Sequence, residues 1–165
     1  MTSIRPMMRR GRIGGGDPGG GRMVSWGEFE QADARLASFG RERLNDRVAY
    51  LATVRSDGAP RVHPVAARIR EERLFIRMDP ASPKAKDLRR NGRYALHSQV
   101  LDTSGTGGEF AVSGLARLVD AALLLKRLTQ GLPDPDRYIV FELGVASAIA
   151  TVYEEGRTVR WRWPP

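Results

Sequence analysis

From Arg47 onward the chain alternates short β-forming runs with turn signals, and this punctuation constrains the fold more than any other feature of the sequence. Residues 48–54 are rich in β-branched and aromatic side chains, which suit a pleated, half-buried surface. Ser56-Asp57-Gly58-Ala59-Pro60 follows as a turn centred on Asp-Gly. The extended pattern resumes at 61–65, where Pro64 brings no N–H, so this strand runs along an edge, a bulge or an irregular stretch. Glu71-Glu72 marks a second turn and 74–78 a third strand, completing an antiparallel meander. Ser82 is a natural N-cap with Pro83 behind it at the first helical position, predicting a short helix to Arg90 that Asn91-Gly92 ends. Strands are predicted over 93–98 and 109–118, a helix over 120–130, and two last strands over 138–152, bent near Gly144, and 158–163. Upstream, Ser25 with Glu28 makes a capping box, and Phe29, Leu36, Phe39 and Leu44 recur at helical spacing, predicting one helix to Asn45 whose weak point is Gly40. Six or seven antiparallel strands with short helices between them predict a mainly β fold, a closed or partly closed barrel with short helical additions, because closure removes edges that would otherwise aggregate.

A chain of 165 residues carries one domain by size, here 25–165. Residues 1–24 read as a separate Arg/Gly-rich extension. Up to Arg22 it holds five Arg, one acid and seven Gly, too little apolar surface to offset its ordering entropy, and disorder is expected, with Met23 as an alternative start. No Cys is present, which excludes disulfides and thiolate metal sites and fits a reducing cytoplasm. No apolar run reaches the roughly 18 residues of a membrane span, and no apolar stretch of signal-peptide type follows the first arginines. The net charge of +8 raises nucleic acid as a partner, but half of it sits on the N-terminal extension.

Side chains for catalysis are not evident. Only two histidines occur, His63 and His97, at no metal-ligand spacing, and there is no nucleophile-elbow motif. The informative stretch is 55–93, with eleven basic residues against five acids. Within it, the start of the helix after Ser82 offers unpaired amide donors and the positive end of the helix dipole, Lys84 adds charge, and Ser82 adds a hydroxyl: together a candidate phosphate site. Trp161 and Trp163 alternate with Arg160 and Arg162 near the C-terminus, a pattern of core or subunit interface more often than of base stacking.

The order of SDGAPRVHPV, FIRMDPASPKAKDLRRNGRYAL and GGEFAVSGLARLV over residues 26–163 resembles the pyridoxamine 5'-phosphate oxidase-like, FMN-binding split-barrel family. The resemblance implies that the strand Arg61, Val62, His63, Pro64, Val65 runs beside the flavin ring and ribityl chain, with Ile76 and Arg77 near the ribityl phosphate. It places Ser82 and Lys84 on the phosphate itself and a polar residue, Glu109, near the flavin. The family's Ser-Arg-Lys element reads Ser82-Pro83-Lys84 here, leaving Arg61, Lys86 or Arg77 to compensate for the missing arginine. The resemblance further implies a homodimer with the cofactor at the interface. Oxidation of pyridoxamine phosphate itself is not expected, because Ala66 or Ala67 stands where the family's substrate lysine would be, and the C-terminus Arg160-Trp161-Arg162-Trp163-Pro164-Pro165 lacks the Arg-x-His element.

Three functions compete at this level. The first is an FMN-dependent oxidoreductase that moves hydride to or from a small molecule, a chemistry that needs no catalytic triad. The second keeps the fold but takes the deazaflavin coenzyme F-420, whose anionic tail suits a basic groove, with a heme-binding variant as a more distant relative of this reading. The third is a nucleic-acid-binding β-barrel, which the low aromatic content of 7% disfavours.

Overall fold

Two helices precede the first strand, where the spacing predicts one. The computed structural model describes residues 23–154 and 156–165. In it α1 spans Trp26–Ala32 and α2 spans Ala34–Leu44. Ser25 and Glu28 form the predicted capping box at the start of α1. Asp33 separates the two helices: its N–H closes α1 on the Phe29 carbonyl, while its side chain accepts from Leu36 N–H and caps α2. One acidic residue in mid-pattern thus ends one helix and starts the next. Gly40 lies inside α2 without breaking it, because a Cβ there would sit 2.5 Å from the ring of Phe110. The glycine lets the helix close onto the barrel.

The strands are β1 Arg47–Val54, β2 Pro60–Arg70, β3 Arg73–Met78, β4 Arg93–Ser98, β5 Glu109–Leu118, β6 Ile139–Glu154 and β7 Arg157–Trp163. All pair antiparallel, in the order β3-β2-β1-β4-β5-β6-β7, and β3 also pairs with β6. The first six therefore close into a barrel, with β7 added outside the closure. Strand β6 serves both ends: residues 139–142 pair with β3, and residues 148–154 carry β7. It changes direction where the β5–β6 register shifts between Ser113 and Gly114. There a Cβ on Gly114 would fall 1.9 Å from the Gly144 carbonyl oxygen, so two glycines let the backbones cross. Helix α3, Pro83–Arg90, lies between β3 and β4; α4, Ala122–Thr129, lies between β5 and β6.

The barrel interior is filled by alternate residues of every strand, among them Leu51, Ala67, Ile76, Leu96, Val112, Phe141 and Leu143, all buried. Trp26 and Phe29 of α1 are fully buried, the Phe29 ring lying 5.1 Å from that of Trp163. Helix α4 covers a second, smaller cluster formed by Phe75 and Val140 on the outer side of β3 and β6. The N-terminal extension lies outside the described residues up to Arg22. Met23 and Val24 belong to the fold: Val24 exchanges backbone hydrogen bonds of 2.9 and 2.8 Å with Val145. No helix among the described residues is long and apolar enough to cross a membrane.

Candidate functional site

Strand β2 has two different halves. It pairs with β1 from Pro60 to Ala67, but with β3 only from Ala67 to Arg70. Residues 60–66 therefore have one free flank, and Pro64 sits in that half, which is paired on one side only and so tolerates a residue without an N–H. The alternation of the strand sends its side chains two ways. Arg61, His63 and Val65 share the inner face with Thr53, Leu51 and Ala49, their cross-strand partners on β1. Val62, Pro64 and Ala66 point outward and are exposed.

At the inner end, β1, β2 and α3 meet on one buried carboxylate. Asp87 Oδ2 accepts from Arg61 Nε at 2.8 Å and from Thr53 Oγ1 at 2.9 Å, and Arg90 stands 4.0 Å from the other oxygen. Arg90 also donates to the Val54 carbonyl. His63 lies beside this knot. Burial lowers its pKa from the usual imidazole value; Lys84 and then Arg61 push the same way, against Asp87. Its Nε2 is buried with no hydrogen-bond partner. Among the described residues no carboxylate lies within ion-pairing distance of Lys84, so its charge is uncompensated.

The start of α3 offers fewer donors than a helix end usually does. Ser82 caps the helix as predicted, but its hydroxyl donates to the Asp79 carbonyl at 2.7 Å and accepts from Ala85 N–H. Ala85 and Lys86 N–H also point at the Ser82 carbonyl, and Pro83 has no N–H. The Lys84 amide is what remains of the first turn's donors. The cradle therefore consists of Lys84, through its amide and ammonium, with Arg61 and His63, while the predicted Ser82 hydroxyl has spent its one hydrogen on Asp79.

The other predicted residues lie elsewhere. Ile76 is fully buried in the barrel core, and Val65 is nearly so. Arg77 points outward on β3, donates to the Pro133 carbonyl at 2.8 Å and stacks its guanidinium 5.0 Å from the Tyr138 ring centre. Glu109 is on the far side of the sheet, accepting from Tyr153 Oη at 3.1 Å with His97 Nε2 at 3.6 Å. Trp161 and Trp163 pack onto α1 and α2, Trp161 under Arg35 at 4.5 Å, so their rings are used in the fold.

Sequence reading missed Asp87 and Thr53. The signal for Asp87 was present: it is the one acid in the helix segment PKAKDLRR, next to its buried Leu88. It also missed a sheet face. Val62, Ala52, Ala95, Ser113 and Ser147 stand side by side across five strands, and Pro64, Tyr50, His97, Ala111 and Ile149 form the next row. This outer face is small, largely apolar and open, with Val62 61% and Tyr50 43% exposed. Away from both features, a groove of about 700 Å³ runs along α4, lined by Leu123, Lys126, Gln130 and Pro135. It shares no residue with the cradle.

Comparison with known proteins places the fold. No curated protein matches the chain. Among solved structures, PhzG from Burkholderia lata 383, in complex with tetrahydrophenazine-1-carboxylic acid, is similar with a TM-score of 0.59 and 16% identity over 82% of this chain and 85% of that one. A heme-binding protein from Mycobacterium smegmatis has a TM-score of 0.57 and 14% identity, over 75% and 57% of the two chains. An F420 reductase has a TM-score of 0.50 and 22% identity, over 66% and 94%. At these identities the likeness is one of fold. The family comparison goes further: residues 40–151, spanning the barrel from within α2 to near the end of β6, match the family described as pyridoxamine 5'-phosphate oxidase, and the chain belongs to that family.

Proposed function

We propose that this protein binds FMN and works as a flavin-dependent oxidoreductase on a small molecule. The observation that carries the reading is the convergence of Lys84, Arg61, His63 and the capped start of α3 beside the half of β2 that is paired on one side only. An unpaired ammonium and a buried, unpartnered ring nitrogen fit a phosphate, and the free flank of 60–66 is backbone to which a flat ring system can hydrogen-bond. FMN supplies hydride-level redox chemistry when bound. The chain's own residues do the holding: Lys84 meets the phosphate charge, Asp87 fixes Arg61 in place, and Val62 and Pro64 present an apolar surface.

The small, open outer face of the sheet supports a homodimer, with the second chain covering what one barrel leaves exposed. Ala66 and Ala67 carry no charge with which to hold a substrate phosphate, so the substrate is a molecule other than pyridoxamine phosphate. The fold is also that of an F420 reductase and a heme-binding protein, which sets coenzyme F-420 and heme as the competing ligands.

Mass spectrometry of the ligand released from the purified protein, with its visible spectrum, separates these readings. FMN is expected, with a flavin spectrum, and titration of the stripped protein should restore it. Release of deazaflavin or a Soret band would replace FMN with the named competitor, and failure to take up any flavin would overturn the reading.

A further inference from the structure

We propose that His63 is the proton-accepting arm of the phosphate cradle: neutral in the free protein, it takes up one proton from solvent as a phosphate dianion binds beside Lys84 and Arg61. The inference rests on the FMN reading above and concerns what this chain does at that site. It starts from a shortage of donors. Pro83 has no N–H, the Ala85 and Lys86 amides are spent on Ser82, and the Ser82 hydroxyl is spent on Asp79. The cations expected to make up the deficit are also committed. Arg61 Nε is held by Asp87, and Arg77 is turned away onto the Pro133 carbonyl and Tyr138. Lys86 is exposed, two residues beyond Lys84 and so on a different side of α3.

His63 is the group left over. Its Nε2 is buried and has no partner, a condition that folded proteins seldom leave uncorrected. The charged groups that act on it are Arg61 from its own strand and Lys84 and Asp87 from α3; Thr53, from β1, is neutral. Two cations against one carboxylate, together with burial, favour the neutral ring. A phosphate dianion reverses that balance. Nε2 then gains a proton, and the new N–H donates to a phosphate oxygen as a charge-assisted hydrogen bond. The step is a proton transfer from buffer to Nε2, with no bond to phosphorus made or broken. Its consequence is that cofactor binding consumes a proton near neutral pH.

Calorimetric titration of the stripped, full-length protein with FMN at about pH 7, in two buffers of different ionisation enthalpy, reads the proton directly. At that pH a phosphate monoester is mostly dianionic already, so uptake reports the protein. The expected result is net proton uptake with FMN and none with riboflavin, which lacks the phosphate. In His63→Gln the uptake disappears and FMN binds about tenfold or more weakly, the loss of a hydrogen bond to a charged group. FMN bound by the wild type with no buffer dependence overturns the proposal and leaves the cofactor reading standing; so does a folded His63→Gln protein that binds FMN as tightly as the wild type. Failure of the wild type to bind FMN at all removes both. The buffer comparison uses the unmodified chain, so the result does not depend on the variant folding.

Discussion

Replacing Asp87 by Asn should separate the stability of the barrel end from the charge of the cradle. Asp87 accepts two hydrogen bonds, from Thr53 Oγ1 at 2.9 Å and Arg61 Nε at 2.8 Å, and its side chain is 9% exposed against 30% for Arg61. Breaking a fully buried ion pair costs about 3–5 kcal/mol. Arg61 keeps part of its hydration here, and Asn retains one acceptor oxygen, so the expected loss for Asp87→Asn is about 1–2 kcal/mol. Asp87→Ala removes both acceptors and leaves the Thr53 hydroxyl buried without a partner, for a loss of about 3 kcal/mol. Urea unfolding checks both figures, through a lower midpoint at unchanged slope. Phosphate binding should move the other way: with the carboxylate neutralised, the Arg61 charge is released to the cradle, and Asp87→Asn should bind FMN a few-fold more tightly than the wild type. The reasoning fails if Asp87→Asn costs as much as Asp87→Ala, or if stability and FMN affinity fall together.

Gly40→Ala drives a methyl group to 2.5 Å from the Phe110 ring, and the overpacking should outweigh Ala's better helix propensity, destabilising the protein by about 1–2 kcal/mol in the same urea assay. Glu71→Asn should raise stability by about 0.5–1 kcal/mol in thermal unfolding, because Glu71 and Glu72 occupy positive φ (51° and 58°) in the two-residue β2–β3 turn, where Asn is better suited. Hydrogen bonds from Thr106 and Ser104 hold Asp102 at a pKa of about 2, below its unfolded value. The order this brings to the 102–106 loop is complete above the ordinary carboxylate range and lost as pH falls towards 2, so protection of the Ser104 and Thr106 amides, taken relative to their intrinsic exchange, should fall over that interval and be absent throughout in Asp102→Ala. Val62→Glu should leave the monomer's stability unchanged, since Val62 is 61% exposed, and should weaken self-association by at least about tenfold in sedimentation analysis if the outer face is the dimer surface.

The sequence by itself determined the strands, the turns and the helix start at Ser82, because these depend on neighbours a few residues away. Alternation in 109–118, the Asp57-Gly58 turn and the Ser82-Pro83 cap are local chemistry, and all three stand in the structure where the residues place them. The division of α1 from α2 at Asp33 was missed because helical periodicity continues across it, and only the direction of one carboxylate breaks it. Tertiary structure alone decided where the charge goes. The basic stretch 55–93 reads in sequence as one focused excess, yet folding sends Arg55 to Asp57, Arg61 to Asp87, Arg68 to Asp46 and Arg73 to Glu142, and turns Arg70 and Arg77 onto the carbonyls of Gln130 and Pro133. Several of these partners are tens of residues away, and strand alternation decides which face each side chain takes, so no local pattern could announce them. What survives at the start of α3 is the uncompensated Lys84 beside His63, whose pKa burial and the neighbouring cations lower. Electrostatics is a property of distance in space, and closing the barrel is what sets those distances.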